Sequence, residues 1–169
     1  MTVADWLAIF RAFAVIPIVL AIAAGERTVA LAVFAVAAAT DALDGWLARR
    51  TGSATPRGAF IDPLADKVLV VGTLVALAAV GNGWPVTVVA VFVGVRECAV
   101  AVARTRAFVR GVTLPTDRLA KLKTAAEMVG VFLIIVGERP WPVAGATLVG
   151  LAFLLSLVSL PRYFATRVV

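Results

Sequence analysis

The sequence predicts an all-α membrane protein with six transmembrane helices. Of its 169 residues, 62% are hydrophobic and only 15% are charged, whereas soluble domains are roughly half apolar and about a quarter charged. The mean hydropathy is +1.03. Apolar stretches close to the ~20 residues that a transmembrane helix needs recur along the whole chain. We therefore expect one integral-membrane domain over residues 1–169.

Segments rich in glycine, proline and charged residues divide the chain into six predicted helices. These helices cover about 12–24, 29–49, 59–80, 85–108, 116–136 and 141–163, and the breaks between them fall at 25–27, 51–58, 81–85, 110–117 and 137–142. A short amphipathic segment containing Trp6, Leu7 and Phe10 leads into the first helix. That helix lacks the basic start of a signal peptide, so we expect it to be retained.

The charge distribution predicts the orientation of the chain in the membrane. The net charge is +6, and the basic residues gather around the 51–58 loop, the 109–117 loop and the C-terminus. Because cytoplasmic loops carry an excess of Lys and Arg, these loops and both termini should face the cytoplasm. In an apolar chain such an excess indicates anionic lipid nearby rather than nucleic acid. Trp84 and Trp141 should then anchor the outer side.

Four aspartates stand out in this apolar sequence. Asp41 and Asp44 are spaced i, i+3 on the second predicted helix, and Asp62 and Asp66 are spaced i, i+4 on the third, so each pair shares a helix face. The short loop between these helices should make them antiparallel neighbours and bring the pairs together. Carboxylates within a membrane helix are costly, and a converging set suits Mg²⁺ or Mn²⁺. The alternative is a salt-bridged helix pair that uses Arg49, Arg50 and Lys67.

The metal alternatives are limited by composition. There is no histidine, and Cys98 is the only cysteine, so a zinc site built on Cys and His is excluded and any metal must be held by oxygen ligands. Two hard ions in a partly buried site suit phosphoryl transfer, because they stabilise charge on phosphate oxygens. We expect Cys98 itself to be an inert buried thiol.

The spacing of these residues resembles a known family signature. From Asp41 to Asp66 the chain reads D-x2-D-G-x2-A-R-x8-G-x3-D-x3-D, which is similar to the CDP-alcohol phosphotransferase signature at every defined position. The six-helix architecture of that family agrees with the helix count obtained from the breaks. The resemblance implies a homodimer in the bacterial plasma membrane, with the active site facing the cytoplasm.

The resemblance also implies residue roles. Asp41, Asp44, Asp62 and Asp66 would bind two Mg²⁺ or Mn²⁺ ions, with Asp66 also acting as general base. The CDP portion of the substrate would contact Gly45, Arg49 and Gly58, because glycine allows close approach of the backbone and arginine pairs with phosphate. Close helix packing is the alternative role for the glycines.

Further segments resemble the branch of the family that uses glycerol 3-phosphate. These are FRAFAVIP (10–17), DPLADK (62–67), VREC (95–98) and LPTDRLAKLKTAAEMV (114–129). The implied activity is metal-dependent transfer of a phosphatidyl group from CDP-diacylglycerol to glycerol 3-phosphate, giving phosphatidylglycerophosphate and CMP. The chain departs from the usual pattern at Asp5, Ala8, Ala120 and Glu127, where that branch commonly has Asn, Thr, Gly and Gln.

The departures leave the acceptor alcohol open. Phosphatidylglycerol, as in a cardiolipin synthase, or an inositol phosphate could take the place of glycerol 3-phosphate on the same scaffold. A non-catalytic membrane interaction protein and a proton-relaying transporter are rivals of other classes. Four basic residues are candidates for gripping the acceptor phosphate, although they also fit ordinary positive-inside charge: Arg110, Arg118, Lys121 and Lys123. Arg96 and Glu97 lie deeper, and we expect them to form a structural ion pair or to contact the substrate.

Overall fold

The computed structural model describes the backbone of residues 3–51, 58–110 and 118–165, and the side chains of 6–41, 43, 61–110 and 122–157. These residues form seven α-helices and contain no strand. The helices are α1 (Val3–Phe13), α2 (Val15–Ala23), α3 (Arg27–Thr51), α4 (Gly58–Ala79), α5 (Trp84–Val109), α6 (Arg118–Val136) and α7 (Trp141–Ala165). The predicted second to sixth helices correspond to α3 to α7, apart from residues 116 and 117, which lie outside the described residues.

The predicted start of the first helix, at about residue 12, was too late. The segment expected to be a short lead-in is helical from Val3 and forms α1, and only Ala14 separates it from α2. The two helices are nearly continuous, since the Ala14 amide still donates to the Phe10 carbonyl at 2.9 Å. Pro17 accounts for the interruption, because it has no amide to offer the Phe13 carbonyl and its ring crowds that carbonyl.

Polarity in the bundle is inverted relative to a soluble protein. On α1, Arg11 is fully buried at 0% exposure, while Phe10 and Phe13 on the same helix are 56% and 63% exposed. Large exposed apolar side chains recur on the other helices, including Leu20, Val95 and Leu155. An exterior with many large exposed apolar side chains is typical of a surface that contacts lipid or a partner rather than water. The charged side chains can therefore gather inside.

Two helical stretches are long and apolar enough to cross a membrane, judged by length and composition within the described residues. They are Trp6–Ala23, with a mean hydropathy of 2.3, and Trp84–Val109, with a mean hydropathy of 2.1. Only 33% and 39% of these windows are buried, unlike a core helix of a soluble protein. The described part of α7, Trp141–Leu157, is a shorter apolar helix.

At one end of the bundle, Arg27 hydrogen-bonds to Asn82 and Ile135 near the ends of two other helices, and this set of contacts is called the Arg27 clasp here. Arg27, at the start of α3, donates to the Asn82 side chain at 2.9 Å and to the Ile135 carbonyl at 3.4 Å. Gly137 follows α6 with φ +78°, and a Cβ there would lie 1.8 Å from the Arg27 guanidinium. The left-handed conformation and the lack of a side chain are therefore both needed for this clasp.

Glycines also set the spacing between α6 and α7. A Cβ on Gly145 of α7 would lie 2.4 Å from the Gly130 carbonyl oxygen of α6, and a Cβ on Gly130 would lie 2.9 Å from the Gly145 carbonyl oxygen. The two backbones pack too closely for any side chain at these positions. Small residues that allow such close approach are typical of helix pairs in membranes.

Candidate active site

Two of the four predicted aspartates meet at one buried arginine. Nη1 of Arg11 lies 2.7 Å from Oδ1 of Asp41 and 2.6 Å from Oδ1 of Asp66. These two carboxylate oxygens are therefore no more than about 5.3 Å apart, which is the two distances placed end to end. Asp41 belongs to α3 and Asp66 to α4, so residues distant in sequence converge as predicted.

The route of this convergence differs from the expected one. The prediction placed the acidic helices directly beside each other, but in the described part of the chain α1 packs against both α3 and α4. Arg11 of α1 then links the two carboxylates. Lys67, expected as a possible counter-ion of the aspartates, instead pairs with Glu97 of α5 at 2.5 Å. Arg49 and Arg50 have side chains outside the described residues.

The donor set fits a hard divalent cation. Asp62 lies one turn before Asp66 on α4, and Asp44 lies one turn after Asp41 on α3, although the Asp44 side chain is outside the described residues. Carboxylate oxygens are the ligands that Mg²⁺ and Mn²⁺ prefer. Within the described side chains, no three Asp, Glu, His or Cys residues already form a metal-binding group. The set thus comprises two converged carboxylates and two more at helical spacing.

Arg11 belongs to the site, but the sequence analysis assigned it no role. Its signal in the sequence is a single charge inside the apolar run WLAIFRAFAVIP. A charged residue within such a run is expensive and normally has an interior partner. That rule could have marked Arg11 as functional, but it could not identify Asp41 and Asp66 as the partners.

The structure describes the side chains of only two of the remaining predicted site residues, Arg110 and Lys123. Arg110 is exposed at the C-terminal end of α5. Lys123 is buried on α6, and its ammonium group pairs with Glu97 and, at 3.3 Å, with Glu127. Any phosphate that binds Lys123 would share it with these carboxylates. For the other members the structure describes the backbone alone, which is helical: Gly45, Arg49, Gly58, Arg118 and Lys121.

A second group of buried charges lies beside the aspartates and is called the Glu97 cluster here. It consists of Lys67, Arg96, Glu97, Lys123 and Glu127. Arg96 also donates to the Ser156 carbonyl of α7 at 3.5 Å, so the cluster connects α4, α5, α6 and α7. The predicted ion pair between Arg96 and Glu97 is confirmed, within a larger network of three cations and two carboxylates.

The prediction for Cys98 was wrong, because the thiol is exposed on α5. It shares a face with Val91, Val95 and Val102, all of which are exposed and follow at spacings of three or four residues. The sequence correctly indicated an apolar environment. It could not indicate whether that environment was the protein interior or the apolar exterior.

The fold and these contacts define an all-helical protein with an apolar exterior and an acidic site enclosed by its helices. The family model for CDP-alcohol phosphatidyltransferase matches residues 1–159. The chain therefore belongs to the CDP-alcohol phosphatidyltransferase family, whose members are embedded in membranes.

Curated relatives agree with this family. A probable phosphatidylglycerophosphate synthase of Mycobacterium tuberculosis is 40% identical over 141 residues, which is 82% of this chain and 66% of the relative. Two proteins named CDP-diacylglycerol–glycerol-3-phosphate 3-phosphatidyltransferase are also similar. The one from Pseudomonas fluorescens is 45% identical over 75% of this chain and 65% of its own length. The one from Escherichia coli K12 is 35% identical over 79% and 75%. The chain thus spans just under two thirds of the first two relatives.

Proposed function

We propose that this protein transfers the phosphatidyl group of CDP-diacylglycerol to glycerol 3-phosphate, releasing CMP and forming phosphatidylglycerophosphate. The observation that carries the proposal is the convergence of Asp41 and Asp66 from separate helices on one buried point, in a chain of this family. The names of the relatives support glycerol 3-phosphate as the acceptor.

In the proposed reaction Asp66 takes the proton from the acceptor hydroxyl. The resulting alkoxide attacks the β-phosphorus of CDP-diacylglycerol, the bond from that phosphorus to the CMP oxygen breaks, and CMP leaves with the electron pair. Asp66 is suited to this role because it is largely shielded from solvent and held by Arg11. One carboxylate oxygen accepts from Arg11 at 2.6 Å, and a carboxylate has further lone pairs to accept a proton.

The metal requirement is also part of the proposal. Asp41, Asp44, Asp62 and Asp66 would hold two Mg²⁺ or Mn²⁺ ions, whose chemistry is to neutralise the phosphate oxygens as charge develops on them. Gly45, Arg49 and Gly58 would bind the CDP portion, as the family resemblance implies. For the acceptor phosphate we propose the predicted basic set: Arg110, Arg118, Lys121 and Lys123.

We further propose the membrane arrangement. The chain would form one six-span domain of a homodimer in the bacterial plasma membrane, with both termini and the aspartates on the cytoplasmic side. Trp84 and Trp141 are exposed and follow the segments joined by the Arg27 clasp, which suits anchors at the outer interface. Asp41 lies 14 residues along α3 from Arg27, or about 21 Å at the helical rise of ~1.5 Å per residue. The aspartates therefore lie toward the opposite interface.

The test is CMP release by the purified protein. CDP-diacylglycerol with Mg²⁺ or Mn²⁺ is supplied together with glycerol 3-phosphate, an inositol phosphate or phosphatidylglycerol in parallel reactions. We expect release with glycerol 3-phosphate alone, loss of release in EDTA, and loss of more than about 100-fold in Asp66→Asn, as for removal of a general base. Glu138→Gln, at an exposed carboxylate beyond α6, is the matched control.

Other outcomes would overturn specific parts of the proposal. Release only with phosphatidylglycerol or the inositol phosphate would replace the acceptor while keeping the chemistry. Full activity in Asp66→Asn would refute its role as base. No release with any acceptor from folded protein would favour a non-catalytic relative, and full activity in EDTA would refute the metal requirement.

A further inference from the structure

We propose that Arg11 is a resident counter-cation of the carboxylate site, which competes with the divalent ion for Asp41 and Asp66 and so lowers its affinity. This inference rests on the metal site proposed above. It assigns Arg11 as a positioning residue, since it acts through the carboxylates rather than on the reacting atoms.

The burial of Arg11 is the first observation. It is the largest fully buried side chain in the described part of the chain, and it lies on a helix whose neighbouring phenylalanines face outward. Removing a guanidinium from water is expensive unless it is paired and hydrogen-bonded. The chain therefore keeps this charge at a place where an apolar side chain would be the ordinary choice.

The bridging geometry is the second observation. A single nitrogen of Arg11 is within 2.7 Å of both Asp41 and Asp66. Two carboxylates held this close would otherwise repel each other, since like charges at a few ångströms disfavour one another strongly away from water. Arg11 thus stabilises the two side chains in their converged positions before any ion binds.

The same contacts imply competition with the ion. A divalent cation on Asp41 and Asp66 must either share their oxygens with Arg11 or displace it. In the first case it binds beside an existing positive charge, and in the second it must break both ion pairs of Arg11, so either case weakens its binding. Removing that charge should therefore tighten divalent binding by at least roughly tenfold, given that ~1.4 kcal/mol corresponds to a factor of ten. A purely structural arginine predicts the opposite sign, because losing it would disorganise the ligands.

The experiment measures Mn²⁺ affinity of the purified full chain by the electron paramagnetic resonance signal of free Mn²⁺, and thermal unfolding in EDTA and in Mn²⁺. Arg11→Gln should bind Mn²⁺ at least about tenfold more tightly than the unsubstituted protein, unfold at a lower temperature in EDTA, and gain more stability from Mn²⁺. Arg11→Lys keeps the charge and should retain nearly unchanged affinity. Arg106→Gln, at an exposed position on α5, controls for the loss of one positive charge.

Several results would overturn the inference. Unchanged or weaker Mn²⁺ binding by Arg11→Gln, while the unsubstituted protein binds normally, refutes the competition and leaves the proposed function standing. No Mn²⁺ binding by the unsubstituted protein refutes both. Arg11→Met is the second neutral variant if Arg11→Gln does not fold. Failure of both to fold in excess Mn²⁺, with Arg11→Lys folded, also refutes the inference, because a bound ion should replace the missing charge.

Discussion

Neutralising Glu97 should be among the most destabilising single changes in this protein. The side chain is 4% exposed and pairs with three cations, each from a different helix. Oε2 lies 2.5 Å from the Lys67 ammonium, and Oε1 accepts from Arg96 and Lys123. Glu97→Gln keeps the size of the side chain and removes its charge. Lys123 would then keep Glu127 as a partner and Arg96 would keep the Ser156 carbonyl, whereas Lys67 would lose the Glu97 carboxylate.

The size of the effect follows from burial. Removing one partner of a buried ion pair costs about 3–5 kcal/mol, because the other charge stays buried without compensation. The whole stability of a domain is about 5–15 kcal/mol. For a chain of this length each kcal/mol corresponds to about 2–4 °C, so the unfolding temperature should fall by on the order of 10 °C.

The assay is thermal unfolding of the purified protein, followed by circular dichroism in one detergent. Glu127→Gln is the matched control: it too is a buried glutamate, but its ion pair is with Lys123, at 3.3 Å, rather than with three cations. It should lose roughly 1–2 kcal/mol. A cycle of Glu97→Gln with Lys67→Met should give a coupling free energy of about 0.5–3 kcal/mol. Equal losses for Glu97→Gln and Glu127→Gln would refute the central place of Glu97.

Three further predictions address the packing and the exterior. Gly145→Ala should destabilise by about 1–3 kcal/mol because its Cβ would overlap the facing α6 carbonyl, whereas Gly150→Ala, with open space around it, should be neutral or stabilising by thermal unfolding. Gly137→Ala should cost more than Gly25→Ala in the same assay, since both have φ near +80° but only the former meets a guanidinium; equal losses would refute the clasp. A spin label on Cys98 should be relaxed more by oxygen than by a water-soluble nickel complex in bilayers, and the reverse would exclude a lipid-facing position.

The sequence was a good guide to features that depend on local order. Helix ends were predicted to within a few residues because glycine, proline and charge clusters interrupt the apolar runs, and Gly25, Gly81 and Gly137 do adopt positive φ. The first helix was the exception, because its lead-in was interpreted from polarity alone. Asp41 and Asp66 were predicted to converge from helical spacing and a short loop, and they do converge, although through Arg11 of α1 rather than through directly neighbouring acidic helices.

Features that depend on which helices touch could not be predicted in the same way. The sequence shows that Arg11, Lys67 and Glu97 are charges in apolar surroundings, but it does not show their partners. Arg11 lies 30 positions from Asp41 and 55 from Asp66, and Lys67 lies 30 positions from Glu97. These pairs meet only through the packing of α1, α3, α4 and α5. Spacing within a helix fixes a face and leaves the facing helix undetermined. The prediction that Cys98 is buried was wrong for the same reason.

The two buried charge clusters are joined by two adjacent residues of α4. Asp66 and Lys67 are consecutive on α4, and side chains of consecutive helical residues point about 100° apart. Asp66 therefore reaches Arg11 of α1, while Lys67 reaches Glu97 of α5. These two ion pairs lie on different faces of α4 and hold the helix against rotation about its axis, because rotation would lengthen at least one of them. The Glu97 cluster thus supports the position of the proposed base without contacting it.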